Sequence, residues 1–377
     1  MNRPALAAVA ALLLVLTACA APNPTPTTSP VAEPSATPTP IALEVPQPLL
    51  LTECDDLLSV DTYAGLSTTA LNPADPATFS LDQFSDGINR ELTLQQLQAT
   101  QCLWHNGAPR ENENGASNAF TSLSIVALPD ADAAWARYAK LYQLTAAEPV
   151  ACNGGDDVNA RCWWTGPIAG SIWVDIVFAG MKNAGSDAAN VATFTPLVTE
   201  VVKNLEASQR GDRWAKPTGT VTIPRGCPSV LTAETVATAT GDTPQAVRFA
   251  RGPIGGTALV FEAEVMAGSD PCRWRTPKTD TEYGLPVQVL EGGAWAWNAL
   301  RAIDPAARDA RELQLTGLVD SDSAWIRQGA PNPSVDLIVD GNWISTALYP
   351  EAIASLKLDA ETVLTQLAQG VVDNLRP

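Results

Sequence analysis

The sequence predicts an α+β fold made of two tandem homologous domains, each a mainly antiparallel sheet covered on one face by helices and linked by disulfides. Three observations support this prediction. Short blocks of sequence recur in the same order in the two halves of the chain. Two cysteines lie at matched places in each half, 48 residues apart in the first and 45 in the second. Strand and helix patterns are mixed without the regular alternation that a parallel sheet requires.

Composition sets limits on the function. The chain of 377 residues has 23 Lys and Arg against 41 Asp and Glu, which gives a formal net charge of −18. A nucleic-acid-binding protein needs a basic surface, so no nucleic-acid partner is expected. A single histidine, His105, rules out a metal site built from several histidines. Apolar residues make up 46% of the chain, which is enough for a hydrophobic core.

Residues 1–18 have the pattern of a lipoprotein signal peptide. Arg3 precedes an apolar run over residues 5–16, and a Leu-Thr-Ala-Cys motif ends at Cys19. This motif resembles a bacterial lipobox, and the resemblance implies that Cys19 is lipidated, with acyl chains such as palmitate, and becomes the mature N-terminus. Because two or three acyl chains anchor a protein stably, we expect it on the extracytoplasmic face of the cell membrane. An ordinary signal peptide followed by an unrelated cysteine is the alternative.

Residues 19–48 are predicted to form a disordered tether. Proline recurs among threonine, serine and alanine throughout this stretch. Such a composition cannot bury a core and favours the polyproline II conformation. A plain spacer is the simpler interpretation, and a spacer that is O-glycosylated on its threonines is the alternative.

Repeated blocks place the first domain at residues 49–210, a linker at 211–224 and the second domain at 225–377. The blocks include a Cys-x-x-Leu/Val-Leu-Ser/Thr start, a Cys-x-Trp segment and a closing Val-Val-x-Asn-Leu helix in each copy. A shared Val-Asp pattern in a strand places Asp175 and Asp336 at matched positions. Because their strand neighbours point to the opposite face, we expect each of these carboxylates to face solvent or a helix end.

Local patterns predict the elements of each copy. Ser59 and Thr232 are expected N-caps of short helices. Alternating apolar residues predict strands at 123–128, 172–178, 287–290 and 335–339. Each copy closes with an amphipathic helix. The stretch before the Cys-x-Trp segment differs between the copies, because residues 92–98 favour a helix whereas residues 259–265 alternate like a half-buried strand.

Six cysteines remain if Cys19 is lipidated. An even number in an oxidising compartment indicates disulfides. Because the repeat makes two of the bridges equivalent, it selects the pairing Cys54–Cys102, Cys227–Cys272 and Cys152–Cys162. None of these cysteines has the Cys-x-x-Cys spacing of a metal site.

Catalytic and metal-binding patterns are weak. His105 at a predicted loop tip is the one candidate general base, but no Gly-x-Ser-x-Gly, Ser-x-x-Lys or P-loop motif accompanies it, so a surface histidine is favoured. Oxygen ligands in the acidic runs 156–159 and 320–323 could hold Ca²⁺. Trp325 stands where an EF-hand needs glycine, so solvated turns are favoured. We expect no catalytic residue, no cofactor and no metal.

Eleven tryptophans are present, and most of them recur at matched places, which favours core packing. The matched sets are Trp104 with Trp274, Trp135 with Trp295 or Trp297, and Trp163 or Trp164 with Trp325. Trp173 and Trp343 have no counterpart in this alignment. They are therefore the candidates for a surface role, such as stacking on a sugar or a peptide.

The two cysteine segments and the closing helix of each copy resemble the small secreted domains of actinobacterial lipoproteins of unknown function, over most of residues 50–377. The resemblance implies an α+β fold and a surface location, and it brings no catalytic residues. We therefore predict a non-enzymatic binding module of the cell envelope, attached to the membrane through its lipid, with an envelope protein, a peptide or a glycan as partner. A substrate-binding lipoprotein of a transporter and a cell-wall hydrolase with a carboxylate pair are the alternatives.

Overall fold

The computed structural model describes residues 43–81, 87–108, 120–154, 159–248, 258–269, 272–276, 284–328, 332–349, 352–354 and 359–376. The predicted signal peptide, the predicted lipidation site Cys19, most of the predicted tether and residues 156–158 of the run 156–159 lie outside these ranges. Within the ranges, no helix is both long and apolar enough to cross a membrane.

Strands of the first half form one antiparallel sheet and one short strand pair. In chain order they are β1 (Leu50–Leu51), β2 (Asn72–Ala74), β3 (Thr100–His105), β4 (Ser122–Leu128), β5 (Ala151–Asn153), β6 (Asn159–Ile168), β7 (Ile172–Lys182) and β8 (Gln209–Arg210). β1 pairs with β8. The other six strands form sheet 1, in the order β2-β3-β4-β7-β6-β5.

Sheet 2 repeats this strand order and adds one strand at its edge. Its strands are β9 (Gln245–Arg248), β10 (Cys272–Arg275), β11 (Leu285–Leu290), β12 (Arg311–Glu312), β13 (Ser323–Arg327), β14 (Ser334–Val339) and β15 (Asn342–Ala347). Their order is β12-β13-β14-β15-β11-β10-β9, so β11, β15 and β14 correspond to β4, β7 and β6. The predicted α+β class with antiparallel sheets is confirmed.

Helices cover both sheets. The described helices are α1 (Cys54–Leu57), α2 (Val60–Ala64), α3 (Pro76–Ser80), α4 (Arg90–Gln96), α5 (Asp132–Tyr142), α6 (Asp187–Ala207), α7 (Cys227–Val230), α8 (Ala233–Thr240), α9 (Ala258–Met266), α10 (Ala294–Ile303), α11 (Pro305–Arg308) and α12 (Ala360–Leu375). α2 and α8 begin after the predicted N-caps Ser59 and Thr232. The Thr232 hydroxyl accepts a hydrogen bond from the backbone N–H of Thr235 at 3.2 Å, which satisfies a free donor of the first turn.

We call the face of each sheet that is covered by the closing helix of its own half, α6 or α12, the outer face. The opposite face of each sheet is the inner face. Phe194 of α6, for example, is buried in the apolar core of sheet 1. In each half an asparagine joins this helix to the short helix that begins with a disulfide cysteine. Asn204 donates to the carbonyl of Leu57 at 3.0 Å, and Asn374 donates to that of Ser229 at 2.9 Å. These bonds satisfy carbonyls at the ends of α1 and α7 and explain the recurring Val-Val-x-Asn-Leu motif.

All three predicted disulfides are present. Two of them join the first residue of a short helix to a strand, α1 to β3 and α7 to β10, and the third joins opposed residues on β5 and β6. The bonds are Cys54–Cys102, Cys227–Cys272 and Cys152–Cys162. Each half thus ties its first helix to the same strand of its sheet.

The half-buried strand predicted at residues 259–265 is wrong, because these residues form α9. Leu259, Val260 and Ala263 are buried together with Trp173 of sheet 1. A helix that is enclosed on more than one side needs no clean polar face, so the spacing of its apolar residues does not distinguish it from a strand. α4 and α9 therefore occupy corresponding places, before β3 and before β10.

The prediction that helices cover only one face of each sheet is also wrong. α5 lies on the inner face of sheet 1 and α10 on that of sheet 2. α4 and α9 also cover these inner faces, and each packs against the opposite half of the chain. Leu92 of α4 packs with Trp295 of the second half, and Leu259 of α9 packs with Leu128 of the first. Both sheets consequently belong to one compact unit, Leu43–Pro377. Because polar residues lie on these inner faces, the strand sequences alternate between apolar and polar residues. This alternation is typical of a sheet with one face in solvent, and it led to the wrong prediction.

Candidate functional site

The inner face of each sheet, which carries Trp173 in sheet 1 and Trp343 in sheet 2, contains a set of buried polar residues. Trp173 lies opposite Leu128 on β4, and Trp343 lies opposite Leu290 on β11. The two tryptophans therefore occupy corresponding positions, and both are fully buried. Their predicted surface role is wrong, because helix α5 or α10 covers each of them.

The helix over each tryptophan contributes a second indole. The ring of Trp135 on α5 lies 5.2 Å from that of Trp173, and the ring of Trp297 on α10 lies 5.7 Å from that of Trp343. Among the two partners that the sequence allowed for Trp135, the structure thus selects Trp297. These edge and tilted arrangements are the favourable ones for aromatic pairs.

The indole N–H groups of Trp173 and Trp343 each donate a hydrogen bond to a side chain on the neighbouring strand. Trp173 Nε1 donates to the Thr165 hydroxyl on β6 at 2.7 Å. Trp343 Nε1 donates to Asp336 Oδ1 on β14 at 2.9 Å. Thr165 and Asp336 therefore correspond, whereas the sequence matched Asp336 with Asp175. That match is wrong, because Asp175 lies on β7, the strand that corresponds to β15.

In sheet 2 the inner-face carboxylate is neutralised within the chain. The guanidinium of Arg327, on β13, donates from Nε to Asp336 Oδ2 at 2.7 Å and from Nη2 to Oδ1 at 3.3 Å. Nη2 also donates to the carbonyl of Gly87 in the first half at 3.1 Å. Asp336 is 0% exposed and Arg327 is 2% exposed. The sequence predicted that Asp336 faces solvent or a helix end. The solvent position is wrong, because its charge is paired inside the fold.

In sheet 1 the inner-face carboxylate is Asp175, which is only 5% exposed, so its predicted solvent position is wrong as well. It lies opposite Thr165 on β6 and Val126 on β4. Its Oδ1 atom has no hydrogen-bond partner in the described part of the chain. A buried carboxylate with an unmade hydrogen bond is costly, and such an atom calls for an explanation.

The environment of Asp175 favours its neutral form. Burial raises the pKa of Asp175 to about 7. The Thr165 hydroxyl and the Arg161 guanidinium act in the opposite direction, whereas the Glu148 carboxylate adds to the rise. Asp175 therefore changes charge near neutral pH, unlike an ordinary aspartate.

A second carboxylate, Glu148, acts on Asp175 and is more exposed to solvent than Asp175. Its side chain accepts a short hydrogen bond from the Tyr138 hydroxyl of α5, and its backbone N–H donates to the carbonyl of Thr165 at 3.0 Å. Burial and the bond to Glu148 raise the pKa of Tyr138, so its hydroxyl stays a donor. The ring of Tyr142 lies 4.8 Å from that of Tyr138.

We call this group the Asp175 site. Its members are Asp175, Glu148, Thr165, Tyr138, Tyr142, Trp135 and Trp173. Two carboxyl groups supply acceptors, Oδ1 of Asp175 has no partner among the described residues, and aromatic rings lie beside them. This combination can bind a group that donates hydrogen bonds or carries positive charge.

The other residues that the sequence singled out lie elsewhere. His105 ends β3, where its ring lies 5.0 Å from that of Phe79 in a tilted arrangement and its Nδ1 accepts from the N–H of Gly107. Asp322, from the acidic run 320–323, has a fully covered side chain that pairs with Arg376 at 2.7 Å. The solvated turn predicted there is therefore wrong for Asp322. Over the described ranges, no cluster of three or more His, Cys, Asp or Glu has the arrangement of a metal site.

Sequence reasoning missed Glu148, Tyr138 and Arg327. A signal was available in the hairpins, since Thr165 precedes Trp173 by eight residues and Asp336 precedes Trp343 by seven. Alignment of these hairpins on their tryptophans, with one extra residue allowed in the β6–β7 turn, brings Thr165 and Asp336 together. Comparison with protein-family models, with curated proteins and with solved structures finds no match for this chain.

Proposed function

We propose that this protein is a lipid-anchored module of the cell envelope that binds a ligand at the Asp175 site without transforming it. The observation that carries the proposal is the difference between the two inner faces. Asp336 is neutralised by Arg327, whereas Asp175 Oδ1 lacks a partner in the described residues. A ligand that satisfies Asp175 would gain the interaction that the fold already provides in sheet 2.

We further propose that the two halves arose by duplication of one disulfide-linked ancestor, of the kind found in actinobacterial lipoproteins. The matching strand order of the two sheets supports this origin. So do the equivalent disulfides and the equivalent contacts of Asn204 and Asn374. Duplication followed by divergence leaves one copy free to lose its internal ion pair and acquire a ligand.

The proposed location at the membrane is tested by replacing Cys19, the residue proposed to carry the lipid. Cys19→Ser in the full chain is expected to move the protein from the membrane fraction to the soluble fraction, because the thioether to the lipid cannot form. Ala18→Ser, which keeps a small residue before the cysteine, is the matched control and should stay with the membrane. Membrane retention of Cys19→Ser at the control level would contradict a lipid anchor at this residue.

Binding is tested by thermal-shift measurements of the purified chain against peptides, glycans and small solutes. A ligand raises the melting temperature in proportion to its affinity and concentration. We expect at least one class to stabilise the wild type and not Asp175→Asn, with the exposed Asp212→Asn as charge-matched control. Stabilisation that survives Asp175→Asn would place binding elsewhere. Turnover of purified peptidoglycan that is abolished by Asp175→Asn would replace the proposal with a hydrolase.

A further inference from the structure

We infer that the Asp175 site recognises a guanidinium group, carried either by an arginine side chain of a peptide or by a free guanidino compound. This inference rests on the proposed binding function and specifies its ligand class. It draws on the second half of the molecule as an internal template, because the same face of the corresponding sheet contains such a group.

The inner face of sheet 2 shows that a guanidinium fits beside a buried carboxylate and a tryptophan. Arg327 makes two hydrogen bonds with Asp336 and one with a backbone carbonyl. Its Cζ atom also lies 5.9 Å from the centre of the Trp297 ring, within the range of a cation–π contact. A planar guanidinium suits this place because it combines a fork of donors with a flat surface that stacks on an aromatic ring.

The corresponding strand of sheet 1 supplies no such group. Arg327 lies opposite Ser334, two residues before Asp336. The equivalent place on β5 is Ala151, which lies opposite Trp163, two residues before Thr165. An alanine side chain cannot reach across the sheet. In sheet 1 a threonine, Thr165, stands at the place of Asp336, the carboxylate of this face lies opposite it at Asp175, and β5 supplies no cation to it.

The aromatic partners of the cation are retained in sheet 1. Trp135 corresponds to Trp297 and is half-buried, so part of its ring is accessible. Tyr138 and Trp173 lie beside it, with ring centres 5.1 Å apart. Glu148 adds a second, half-buried carboxylate. The charge of Glu148 acts on Asp175 and its side chain accepts from Tyr138, so a guanidinium bound to the two carboxylates would lie beside these aromatic rings.

Charge favours the same class of ligand. The chain has a net charge of −18, so its field attracts cations and repels anionic solutes. Among the described residues, Arg161 is the cation whose charge acts on Asp175, and it is an exposed residue of β6. A bound guanidinium would stabilise the charged form of Asp175, and binding should therefore strengthen as pH rises through the pKa of this residue.

The experiment is calorimetric titration with matched probes. Agmatine supplies a free guanidinium, the blocked tripeptide Gly-Arg-Gly supplies an arginine side chain, and the same tripeptide with citrulline is the neutral isostere. We expect saturable binding of a guanidinium probe, at least tenfold weaker binding of the citrulline peptide, and affinity that increases at least threefold from pH 5.5 to pH 8. The relative affinity of agmatine and the arginine peptide identifies the source of the group.

Variants connect the binding to the site. Asp175→Asn is expected to weaken guanidinium binding at least tenfold and to remove its pH dependence, whereas Glu148→Gln should weaken it less. Asp212→Asn, an exposed control, should bind like the wild type. If Asp175→Asn proves unfolded by near-ultraviolet circular dichroism, the citrulline comparison and the pH dependence decide alone.

The outcomes separate this inference from the proposed function. Equal affinity for the arginine and citrulline peptides, or undiminished binding by a folded Asp175→Asn, would overturn the guanidinium assignment. If a neutral glycan or another peptide binds through Asp175 while guanidinium probes do not, the binding function stands and the ligand class is wrong. If no solute of any class binds, both the inference and the proposed function fail.

Discussion

The hairpin β14–β15 of sheet 2 and the hairpin β6–β7 of sheet 1 hold a buried tryptophan in the same way and differ in how they treat the neighbouring carboxylate. In β14–β15 the carboxylate of Asp336 receives both the indole N–H of Trp343 and the guanidinium of Arg327. In β6–β7 the Thr165 hydroxyl receives the indole, and Asp175 lies across the hairpin from it. The first arrangement is complete within the fold, and the second leaves a carboxyl atom unsatisfied among the described residues.

Under the proposed function, this difference separates a structural use of a buried charge, at Asp336, from a ligand-binding use, at Asp175. A paired buried ion contributes little net stability but makes the loss of either partner severe. An unpaired one costs stability, and such groups cluster at sites of function. Variants of both halves test whether the two sites differ in this way.

The largest effect is expected at the complete site. Arg327→Met would leave the Asp336 carboxylate buried without its cation and should lower the free energy of unfolding by about 3–5 kcal/mol. Chemical denaturation gives this value. The control is Arg311→Met, which removes an exposed ion pair with Glu361 and should cost less than about 1 kcal/mol. The double variant Arg327→Met/Asp336→Asn, which removes the charge and keeps an acceptor for the indole N–H of Trp343, should recover part of the loss. Equal losses in Arg327→Met and the control would mean that sheet 2 does not depend on this pair.

Disulfides test whether the halves are equivalent in stability. In the chain-entropy model, each long bridge stabilises by ~4 kcal/mol and the short Cys152–Cys162 bridge by ~3 kcal/mol. We therefore expect Cys54→Ala/Cys102→Ala and Cys227→Ala/Cys272→Ala to lower the free energy of unfolding by similar amounts. Loss of the short bridge should cost less. A long-bridge variant that is no less stable than the short-bridge variant would contradict the equivalence.

Asp175 should make stability depend on pH in the opposite sense to an ordinary paired carboxylate. Its folded-state pKa of about 7 lies above the unfolded value, so the folded protein binds the extra proton and loses stability as pH rises from about 4 to 7. Glu148, Tyr138 and Arg161 remain in both the wild type and Asp175→Asn. Their contributions to the pH dependence of the free energy of unfolding therefore cancel to first order when the two proteins are compared. Between pH 5 and pH 8, Asp175→Asn should gain roughly 2–3 kcal/mol relative to the wild type. A constant difference between the two proteins across this range would show that Asp175 keeps an ordinary pKa.

The smallest effect concerns the contacts that the halves share. Asn204→Ala and Asn374→Ala each remove hydrogen bonds to carbonyls at a helix end and should each lower the free energy of unfolding by about 1–2 kcal/mol. Asn153→Ala, at an exposed position on β5, is the control and should change it by less than about 0.5 kcal/mol. A loss confined to one half would show that the common motif has separate roles.

Features that depend on local sequence or on its repetition were determined by the sequence alone. The bridges from Cys54 to Cys102 and from Cys227 to Cys272 followed from matched spacing. The N-cap at Thr232 followed from its position before a helical stretch. Such features depend on residues near one another in the chain or on a pattern repeated in it, and the tertiary environment does not alter them.

Tertiary structure decided which residues lie inside. The alternation around Asp175 and Asp336 indicated correctly that these residues face away from the outer core, but not that α4, α5, α9 and α10 cover the other face. α9 resembled a strand for the same reason, since its environment comes from the opposite half. Burial by a distant segment leaves no local signal, and burial is what turns an ordinary aspartate into one that changes charge near pH 7.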